Sequence, residues 1–350
     1  SPQIRFFNID TFAAELITGH PEPVMGVEIT PCGRFMVSTS KDATMRVWLI
    51  MPVPEELNAG VSLTARCVAI CRGHAEAIGA VAVGVKIPNL EVASTSPAFT
   101  NGDAAKAGVK QVLNYDSCNF YAITSARDRT MKVWNFSPLL CLVDPAQEST
   151  RKKVCEGKTT MWVRHDNQDV NFTEIVAGTG RLCEFVSSST TLAHEKDING
   201  IAVAPNDKLI ASCSQDRTVK LWQLNAGNLS PVATLRGHKR GVWSVAFAPV
   251  DKVLMSTSSD KTIKMWSVTD FTCVRTFQGH QSPVLRSVFI RAGLQFISAD
   301  GEGVLKLWTV KDGECVTTID EPHDARIWGF AVGSNDEVMV SGGADSRLVV

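Results

Sequence analysis

The stretch "STSSDKTIKMW", residues 256–266, has three close copies elsewhere in the same chain. They are "STSKDATMRVW" at 38–48, "TSARDRTMKVW" at 124–134 and "SCSQDRTVKLW" at 212–222. In each copy small residues precede an Asp, and an alternating apolar run leads from that Asp to a Trp six positions later. The chain therefore contains four copies of one sequence pattern, which predicts the same local structure at each copy.

Histidines extend the copies into a longer repeat, because a His stands 22 residues before the Asp and 28 before the Trp. The complete sets are His20, Asp42 and Trp48; His194, Asp216 and Trp222; and His238, Asp260 and Trp266.

Three further repeats are imperfect. His280 lies 28 residues before Trp308, but Glu302 stands where Asp is expected. His74, Asp128 and Trp134 keep the six-residue step after 32 extra residues. His323 lies 22 residues before Asp345, and the chain ends at Val350, one residue short of the expected Trp.

The segments between these landmarks alternate with period two and are separated by turn formers such as "APVD", "SSDK" and "VTD". Each repeat of about 42 residues thus predicts four strands joined by hairpins, and no stretch has a convincing helical period. Four-stranded repeats of this length are typical of β-propeller blades. The predicted fold is an all-β propeller.

The His, Asp and Trp landmarks resemble those of WD-repeat propellers over nearly the whole chain, although no Trp is followed by the usual Asp. The resemblance implies that His, Asp, Trp and a strand Ser or Thr form a buried hydrogen-bond network, here called the clip, in each blade. The predicted clip residues are His20, Asp42, Trp48, His74, Asp128, Trp134, His194, Asp216, Trp222, His238, Asp260, Trp266, His280, Trp308, His323 and Asp345.

The clip accounts for six of the seven histidines and leaves only His165. A catalytic or metal site built on histidine is therefore not expected. There is also no phosphate-binding Gly-rich loop, no Gly-x-Ser-x-Gly elbow and no Cys-x-x-Cys pair. We predict a binding module with no enzymatic activity, no cofactor and no metal.

Residues 3–20 look like the third and fourth strands of a blade, with Phe7 at the Trp position. Added to the six His-started repeats, this half blade predicts a single seven-bladed domain over residues 1–350, with one blade incomplete. The half blade suggests a piece of a longer protein.

Two insertions interrupt the repeats. Residues 85–118 are rich in Pro, Gly, Ala and Ser and predict a mobile surface loop. Residues 137–193 fit either a degenerate blade or a decorated loop that ends in a fourth strand, and we favour the loop.

The balance of charged residues bears on whether the chain binds nucleic acid or a membrane. Lys plus Arg (35) nearly balance Asp plus Glu (36), so the whole chain is not an electrostatic trap for nucleic acid or an anionic membrane. For local basic stretches such as "LRGHKRG" a solvated surface is the simpler interpretation. No apolar run reaches the roughly 20 residues that a membrane span needs.

Ten cysteines are scattered without paired spacing, which favours a reducing compartment, the cytosol or the nucleus. Cys213, Cys273 and Cys315 fall within apolar strand patterns, and we expect them to pack as small hydrophobes.

A closer resemblance lies in "HEKDINGIAVAPNDKL" at 194–209 and "RGHKRGVW" at 236–243. These segments are similar to the second propeller of the transducin-β-like protein 3 family, tandem-propeller subunits of the UTP-B subcomplex of the small-subunit processome. The resemblance implies a nucleolar scaffold whose partners are other WD-repeat UTP-B subunits and processome proteins. Contact with small nucleolar RNA and pre-ribosomal RNA would be indirect or peripheral, and no small-molecule substrate is implied.

An alternative is a substrate receptor of a ubiquitin ligase. Such propellers often carry an Arg shortly after a Trp-Asp dipeptide, and none of the five Trp segments here has that dipeptide. This feature disfavours the alternative.

In WD propellers, partner contacts arise at fixed positions: three and five residues after the clip His and one before the clip Asp. The positions singled out here are Arg326, Trp243, Trp328, Lys41, Arg127, Gln215 and Ser259. Packing of Trp243 and Trp328 against a neighbouring blade is the competing interpretation, and a solvated turn is the competing interpretation for Lys41 and Arg127.

Overall fold

A computed structural model of the chain describes residues 1–8, 11, 13–52, 63–84, 112–113, 120–136, 139, 162–165, 168–171, 182–225, 227–250, 252–320, 322–333 and 335–350. These residues form 29 strands and one three-residue 3-10 helix, Arg291–Gly293. Within these ranges no helix is long and apolar enough to cross a membrane.

The chain divides into two compact units, residues 1–124 with 132–190, and residues 125–131 with 191–350. The first unit opens with the antiparallel hairpin β1 (Ile4–Phe7) and β2 (Ala14–Ile17). An antiparallel sheet follows, made of β3 (Val24–Ile29), β4 (Phe35–Ser40), β5 (Met45–Pro52) and β6 (Leu63–Cys71).

The next sheet in the chain contains β7 (Ile78–Val83), β9 (Tyr121–Ala126), β10 (Thr130–Asn135) and β14 (Ser189–Leu192), in the order β14-β10-β9-β7.

The second unit contains three regular four-stranded sheets, each with its strands in chain order. The first is β15 (Ile198–Val203), β16 (Leu209–Ser214), β17 (Thr218–Asn225) and β18 (Asn228–Arg236). The second is β19 (Val242–Phe247), β20 (Val253–Ser258), β21 (Ile263–Ser267) and β22 (Cys273–Phe277). The third is β23 (Val284–Ile290), β24 (Gln295–Asp300), β25 (Leu305–Thr309) and β26 (Cys315–Ile319). A three-stranded sheet of β27 (Ile327–Val332), β28 (Met339–Gly343) and β29 (Leu348–Val349) ends the chain.

Six of these sheets each carry one clip His, and we number them blades 1 to 6 in chain order. The prediction of an all-β propeller is confirmed, and blades 2 to 5 have the predicted four strands, whereas blade 6 has three. The count of seven is wrong for the described residues, which contain six blades. The sequence-based count treated the hairpin β1–β2 as a seventh blade, although it has only two strands and no clip.

Parts of the two insertions also form strands. A three-stranded sheet joins β8 (Val112–Leu113) from the first insertion to β11 (Trp162–His165) and β12 (Gln168–Asn171) from the second. In addition, β13 (Cys183–Phe185) pairs in parallel with the outer strand of blade 1. Most of residues 85–118 and 137–181 lie outside the described residues.

The core of the second unit lies between successive blades. Trp266 of blade 4 packs with Leu221 and Leu235 of blade 3, and Trp308 of blade 5 packs with Met265 and Phe277 of blade 4. A buried Trp removes about 200 Å² from water. At about 25 cal/mol per Å² this contributes roughly 5 kcal/mol per blade.

In the first unit the hairpin β1–β2 makes the equivalent contact. Its residues Ile4 and Ile17 pack against Trp48 of blade 1, as the third and fourth strands of blade 3 pack against Trp266. The hairpin therefore supplies the half blade that the sequence predicts for residues 3–20.

Two of the three cysteines expected in the core are exposed. Cys213 is buried on the second strand of blade 3, but Cys273 and Cys315 lie on outer strands and are exposed. The alternation of apolar and polar residues alone does not distinguish an inner strand, which is covered on both faces, from an outer strand.

The glycine before the clip His of blade 5 is required by close packing. At Gly279 the backbone has φ +146°, and a Cβ there would lie 3.2 Å from Cη2 of Trp308. A side chain at this position would meet both an unfavourable backbone conformation and the Trp ring.

We predict that Gly279→Ala lowers the free energy of unfolding by about 1–2 kcal/mol, because the new methyl group displaces Trp308 and strains the backbone. Gly342→Ala is the matched control, since a Cβ at Gly342 meets no atom within 4 Å. Chemical denaturation measures both variants. Equal stability of the two variants would contradict this account.

Candidate functional site

The clip of blade 4 is a chain of hydrogen bonds that begins at an indole and ends at a carboxylate. Nε1 of Trp266 donates to Oγ of Ser256 at 2.8 Å. Ser256 Oγ lies 2.8 Å from Nε2 of His238, and Nδ1 of His238 lies 2.9 Å from Oδ2 of Asp260. This hydrogen-bond chain thus joins the second and third strands of the blade, the turn between them and the loop that enters the blade.

The direction of the hydrogen bonds follows from the donors and acceptors available. Ionised Asp260 only accepts, so Nδ1 of His238 carries the proton and Nε2 is left as an acceptor. Ser256 therefore donates to His238 while it accepts from Trp266. The indole N–H of Trp266, the hydroxyl of Ser256 and both ring nitrogens of His238 thus each have a hydrogen-bond partner, as buried polar groups require.

Blades 1 and 3 repeat this geometry. The Nδ1–Oδ2 distance is 2.8 Å for both His20–Asp42 and His194–Asp216. The bridging hydroxyls belong to Ser38 and Ser212, each 2.8 Å from the His Nε2. Trp48 and Trp222 donate to these hydroxyls at 2.7 and 2.9 Å.

Blades 2 and 6 contain variants of the network. In blade 2, Thr124 replaces the bridging Ser and lies 2.8 Å from both His74 Nε2 and Trp134 Nε1. Asp128 accepts from the backbone and hydroxyl of Thr130 in the adjacent turn. In blade 6, His323 bonds Ser341 at 2.9 Å and Asp345 at 3.0 Å.

Blade 5 shows the one clip residue that the sequence pattern missed. His280 Nδ1 bonds Oδ2 of Asp300 at 2.9 Å, whereas Glu302, which stands at the usual position, is exposed. Asp300 occupies the place of Ser258 in blade 4, and its Oδ1 accepts from the backbone N–H groups of Glu302 and Val304. An Asp two residues before the expected one was the signal available.

The clip Asp also shapes the turn that presents the blade surface. Oδ1 of Asp260 accepts from the backbone and hydroxyl of Thr262 at 3.0 and 2.6 Å. Its Oδ2 also accepts from the backbone N–H of Lys239, the residue after the clip His. The carboxylate therefore joins the loop entering the blade to the turn between its second and third strands.

Burial and hydrogen bonding move the pKa values of the clip in a consistent direction. Burial lowers the pKa of His20 and His194 below 6.5, so both rings are neutral near pH 7. Burial alone would raise the pKa of Asp42, Asp216 and Asp260, but hydrogen bonds from the clip His and the turn Thr outweigh it. The carboxylates stay below 3.8 and ionised.

The Ser–His–Asp order resembles that of a hydrolase triad, but here the Ser hydroxyl is not accessible to a substrate. The hydroxyl of Ser256 is fully buried and already accepts from Trp266. The same arrangement occurs in several blades, where it links the entering loop, a strand hydroxyl and the turn before the third strand. Within the described ranges no group of three His, Cys, Asp or Glu side chains could hold a metal ion.

Of the predicted contact residues, Trp328 is the most accessible aromatic, with 51% of its surface exposed. The guanidinium of Arg326, also exposed, lies 5.2 Å from the centre of the Trp328 ring. Nε of Arg286 donates to the backbone oxygen of Trp328 at 3.3 Å. These contacts hold Trp328 in place while leaving its side chain half in solvent.

Three other predicted contact residues make hydrogen bonds within the protein. Trp243 is partly buried, and its Nε1 donates to Oγ of Ser259 at 2.6 Å. Gln215 donates to Oδ1 of Asn199 at 3.4 Å. For Trp243, partial burial agrees with the competing interpretation that it packs inside the protein, and contact of these three residues with a partner stays a prediction.

The remaining two, Lys41 and Arg127, are exposed in the turns just before a clip Asp. Both are accessible to a partner.

Comparison with known proteins supports the repeat assignment. The profile of the WD domain, G-beta repeat, matches residues 13–48, 186–223, 229–267 and 271–309. Each segment begins at the outer strand of one sheet or hairpin and runs into the third strand of the next sheet, so the sequence repeat is offset by one strand from the blade.

The chain is similar to transducin beta-like protein 3 from several mammals. Identity is 30% over 224 residues of the Homo sapiens protein and 32% over 234 residues of the Mus musculus protein, 64% and 67% of this chain. The chain spans about a fifth of the length of these relatives (19% and 20%).

A shorter match, 52% identity over 44 residues, relates the chain to U3 small nucleolar RNA-associated protein 13 of Saccharomyces cerevisiae and covers 13% of this chain and 5% of that protein. The chain therefore contains WD repeats in a β-propeller fold and is similar to transducin beta-like protein 3, so the resemblance seen in its sequence is confirmed.

In blade 5 the clip carboxylate belongs to Asp300, whereas Glu302 stands at the usual position, so single variants at these two residues can be compared. We predict that Asp300→Ala lowers the free energy of unfolding by about 2–3 kcal/mol, because His280 and two backbone N–H groups lose their acceptor. Glu302→Ala, an exposed change at the usual position, should alter it by less than about 0.5 kcal/mol.

The double variant Asp300→Ser with Glu302→Asp tests the same account by restoration. It recreates the residues of blade 4 and should recover much of the stability lost in Asp300→Ala. If Glu302→Ala proves the more destabilising single change in chemical denaturation, the assignment of Asp300 to the clip is wrong.

The pKa directions predict a loss of stability in acid. A His whose pKa is lowered in the folded state, and an Asp whose pKa is lowered, both leave the unfolded state binding more protons. The melting temperature should therefore fall as the pH drops below about 6.5, the ordinary pKa of His, and fall further below about 4, where Asp titrates.

The His20→Gln, His194→Gln double variant is the control for the first stage. It should be less stable at pH 7 but lose less stability between pH 7 and 5. If the melting temperature of the wild-type protein instead rises as the pH falls from 7 to 5, His20 and His194 are charged in the folded protein and this account is wrong.

Proposed function

We propose that this chain is a non-catalytic scaffold module in assembly of the small ribosomal subunit, and that it acts in the nucleolus. The observation that carries the proposal is the similarity to transducin beta-like protein 3 and to a yeast protein named for its association with the U3 small nucleolar RNA.

The architecture supports a scaffold role in physical terms. Each clip pins the loop that enters its blade to a turn, so surface residues are held in place before a partner arrives. A preorganised surface loses little conformational entropy on binding. The groups that could do chemistry, such as Ser256 and His238, are buried inside the blades.

The proposed partners are other WD-repeat subunits of the UTP-B subcomplex and further processome proteins. Trp328 and Arg326 are the residues best placed to contact one of them, because exposed Trp and Arg are common at the centres of protein interfaces. Small nucleolar RNA and pre-ribosomal RNA would then associate with the assembly indirectly or at its periphery.

Gentle purification of the protein, tagged at its own locus, tests the proposal. The co-purifying proteins and RNAs are identified by mass spectrometry and sequencing. We expect small-subunit assembly proteins and the U3 small nucleolar RNA. Recovery of cullin-ligase subunits without any ribosome-assembly component would contradict the proposal.

The double variant Arg326→Ala, Trp328→Ala refines the test. It should retain the parental melting temperature while recovering at least one assembly protein several-fold less well, because surface residues contribute to binding more than to stability. The matched double variant Lys252→Ala, Lys311→Ala changes two other exposed residues of the same unit and should leave recovery unchanged.

A further inference from the structure

An open cleft of about 490 Å³ lies between the loops of blades 3 and 4. It is lined by the residues after the clip histidines of the two blades and by the turn of blade 3. The cationic side chains are Lys196, Arg217, Lys239 and Arg240, and the carboxylates are Glu195 and Asp216.

The four cations are exposed, and none of them forms an ion pair with a described acidic side chain. Asp216 is engaged by His194, by Thr218 and by the backbone N–H of Glu195. The cleft therefore presents a surplus of positive charge, although the whole chain is nearly neutral.

The backbone that carries these cations is fixed from below. Oγ of Ser214 donates to the backbone oxygen of Lys196 at 3.1 Å, and Oγ of Ser258 donates to that of Arg240 at 3.2 Å. The backbone N–H of Lys239 donates to the clip carboxylate of Asp260 at 2.9 Å. The loops of both blades are thus ordered before a ligand binds.

A glycine lets the walls of the cleft come together. A Cβ at Gly241 would collide with the side-chain amide of Gln215 from the neighbouring blade. Gln215 therefore packs over Gly241 and places its amide, which both donates and accepts hydrogen bonds, in the lining of the cleft.

We infer that this cleft binds a short acidic peptide segment of a protein partner, with Arg217, Lys239, Arg240 and Lys196 pairing with its carboxylate or phosphate groups. Arginine and lysine clusters recognise acidic and phosphorylated motifs in this way. A cavity of this size accommodates a few residues of an extended peptide. The inference rests on the proposed scaffold role, because it assigns a ligand to the surface of that scaffold.

The lining favours peptide over RNA. Single-stranded RNA is bound by cationic grooves that also offer aromatic rings for base stacking, and no aromatic side chain lines this cleft. Glu195 would repel a continuous run of phosphates, whereas a peptide can place its own N–H or hydroxyl groups opposite Glu195 and Gln215.

Fluorescence anisotropy with the purified protein and labelled oligoglutamate tests the inference. Oligoglutamine of equal length is the uncharged probe, a phosphoserine peptide separates phosphate from carboxylate recognition, and oligouridylate of equal charge represents RNA. Oligoglutamate or phosphoserine peptide should bind and oligoglutamine should not, and affinity should fall as salt is raised because exposed charges are screened.

A matched pair of charge reversals locates the site. Arg217→Glu with Lys239→Glu should weaken binding of the acidic peptide about tenfold or more. Lys252→Glu with Lys311→Glu makes the same change in net charge at exposed positions that do not line the cleft, and should have a much smaller effect.

Equal weakening by the two pairs, tighter binding of oligouridylate than of oligoglutamate, or no binding of either acidic peptide would each overturn the inference. These outcomes use the isolated protein and simple probes, so they are independent of which components co-purify from cells. Failure of the cleft inference is therefore distinguishable from failure of the proposed function.

Discussion

The structure depends on a buried hydrogen-bond chain in which Trp donates to a hydroxyl, the hydroxyl donates to His, and His donates to an Asp. A hydroxyl that serves Trp266 and His238 at once cannot move without leaving a buried polar group unsatisfied, at a cost of about 1–3 kcal/mol. Because the sheets of adjacent blades meet mainly through non-directional apolar packing, this directional network is what fixes the register of loop, turn and strand inside each blade.

The same carboxylate that ends the network also organises the surface. Asp260 binds His238 inside the blade and the backbone of Lys239 at its edge. A residue placed just after a clip His is therefore held by the interactions that stabilise the blade. This link explains how a fold built from one repeated structure can present different chemistry at each blade: the network stays the same, while the side chains beside it change from Lys239 and Arg240 in blade 4 to Asp324 in blade 6.

Much of the fold could be predicted because the clip needs specific residue types at fixed spacing. Asp300 escaped prediction because a carboxylate two residues earlier can still reach His280 when the turn supplies two N–H donors. The count of seven blades was wrong for the described residues, because the hairpin β1–β2 has the strand pattern of a blade but only two strands. The cleft could not be predicted, since it forms where Arg217 and Lys239, on loops of successive blades, come together. The partial burial of Trp243 depends on Ser259, whose role as its acceptor no spacing rule reveals.

The tautomeric state of the clip histidines tests the central claim most directly. Nitrogen NMR of the protein labelled at histidine distinguishes a proton on Nδ1 from one on Nε2, and the Asn variants of Asp42 and Asp260 assign the signals of His20 and His238. The account predicts that the histidines bonded to Asp in blades 1, 3, 4, 5 and 6 carry a proton on Nδ1. His20 and His194, whose pKa burial lowers, should in addition be neutral at pH 7. Signals averaged between tautomers, as for solvent-exposed imidazole, or a proton held on Nε2, would contradict it.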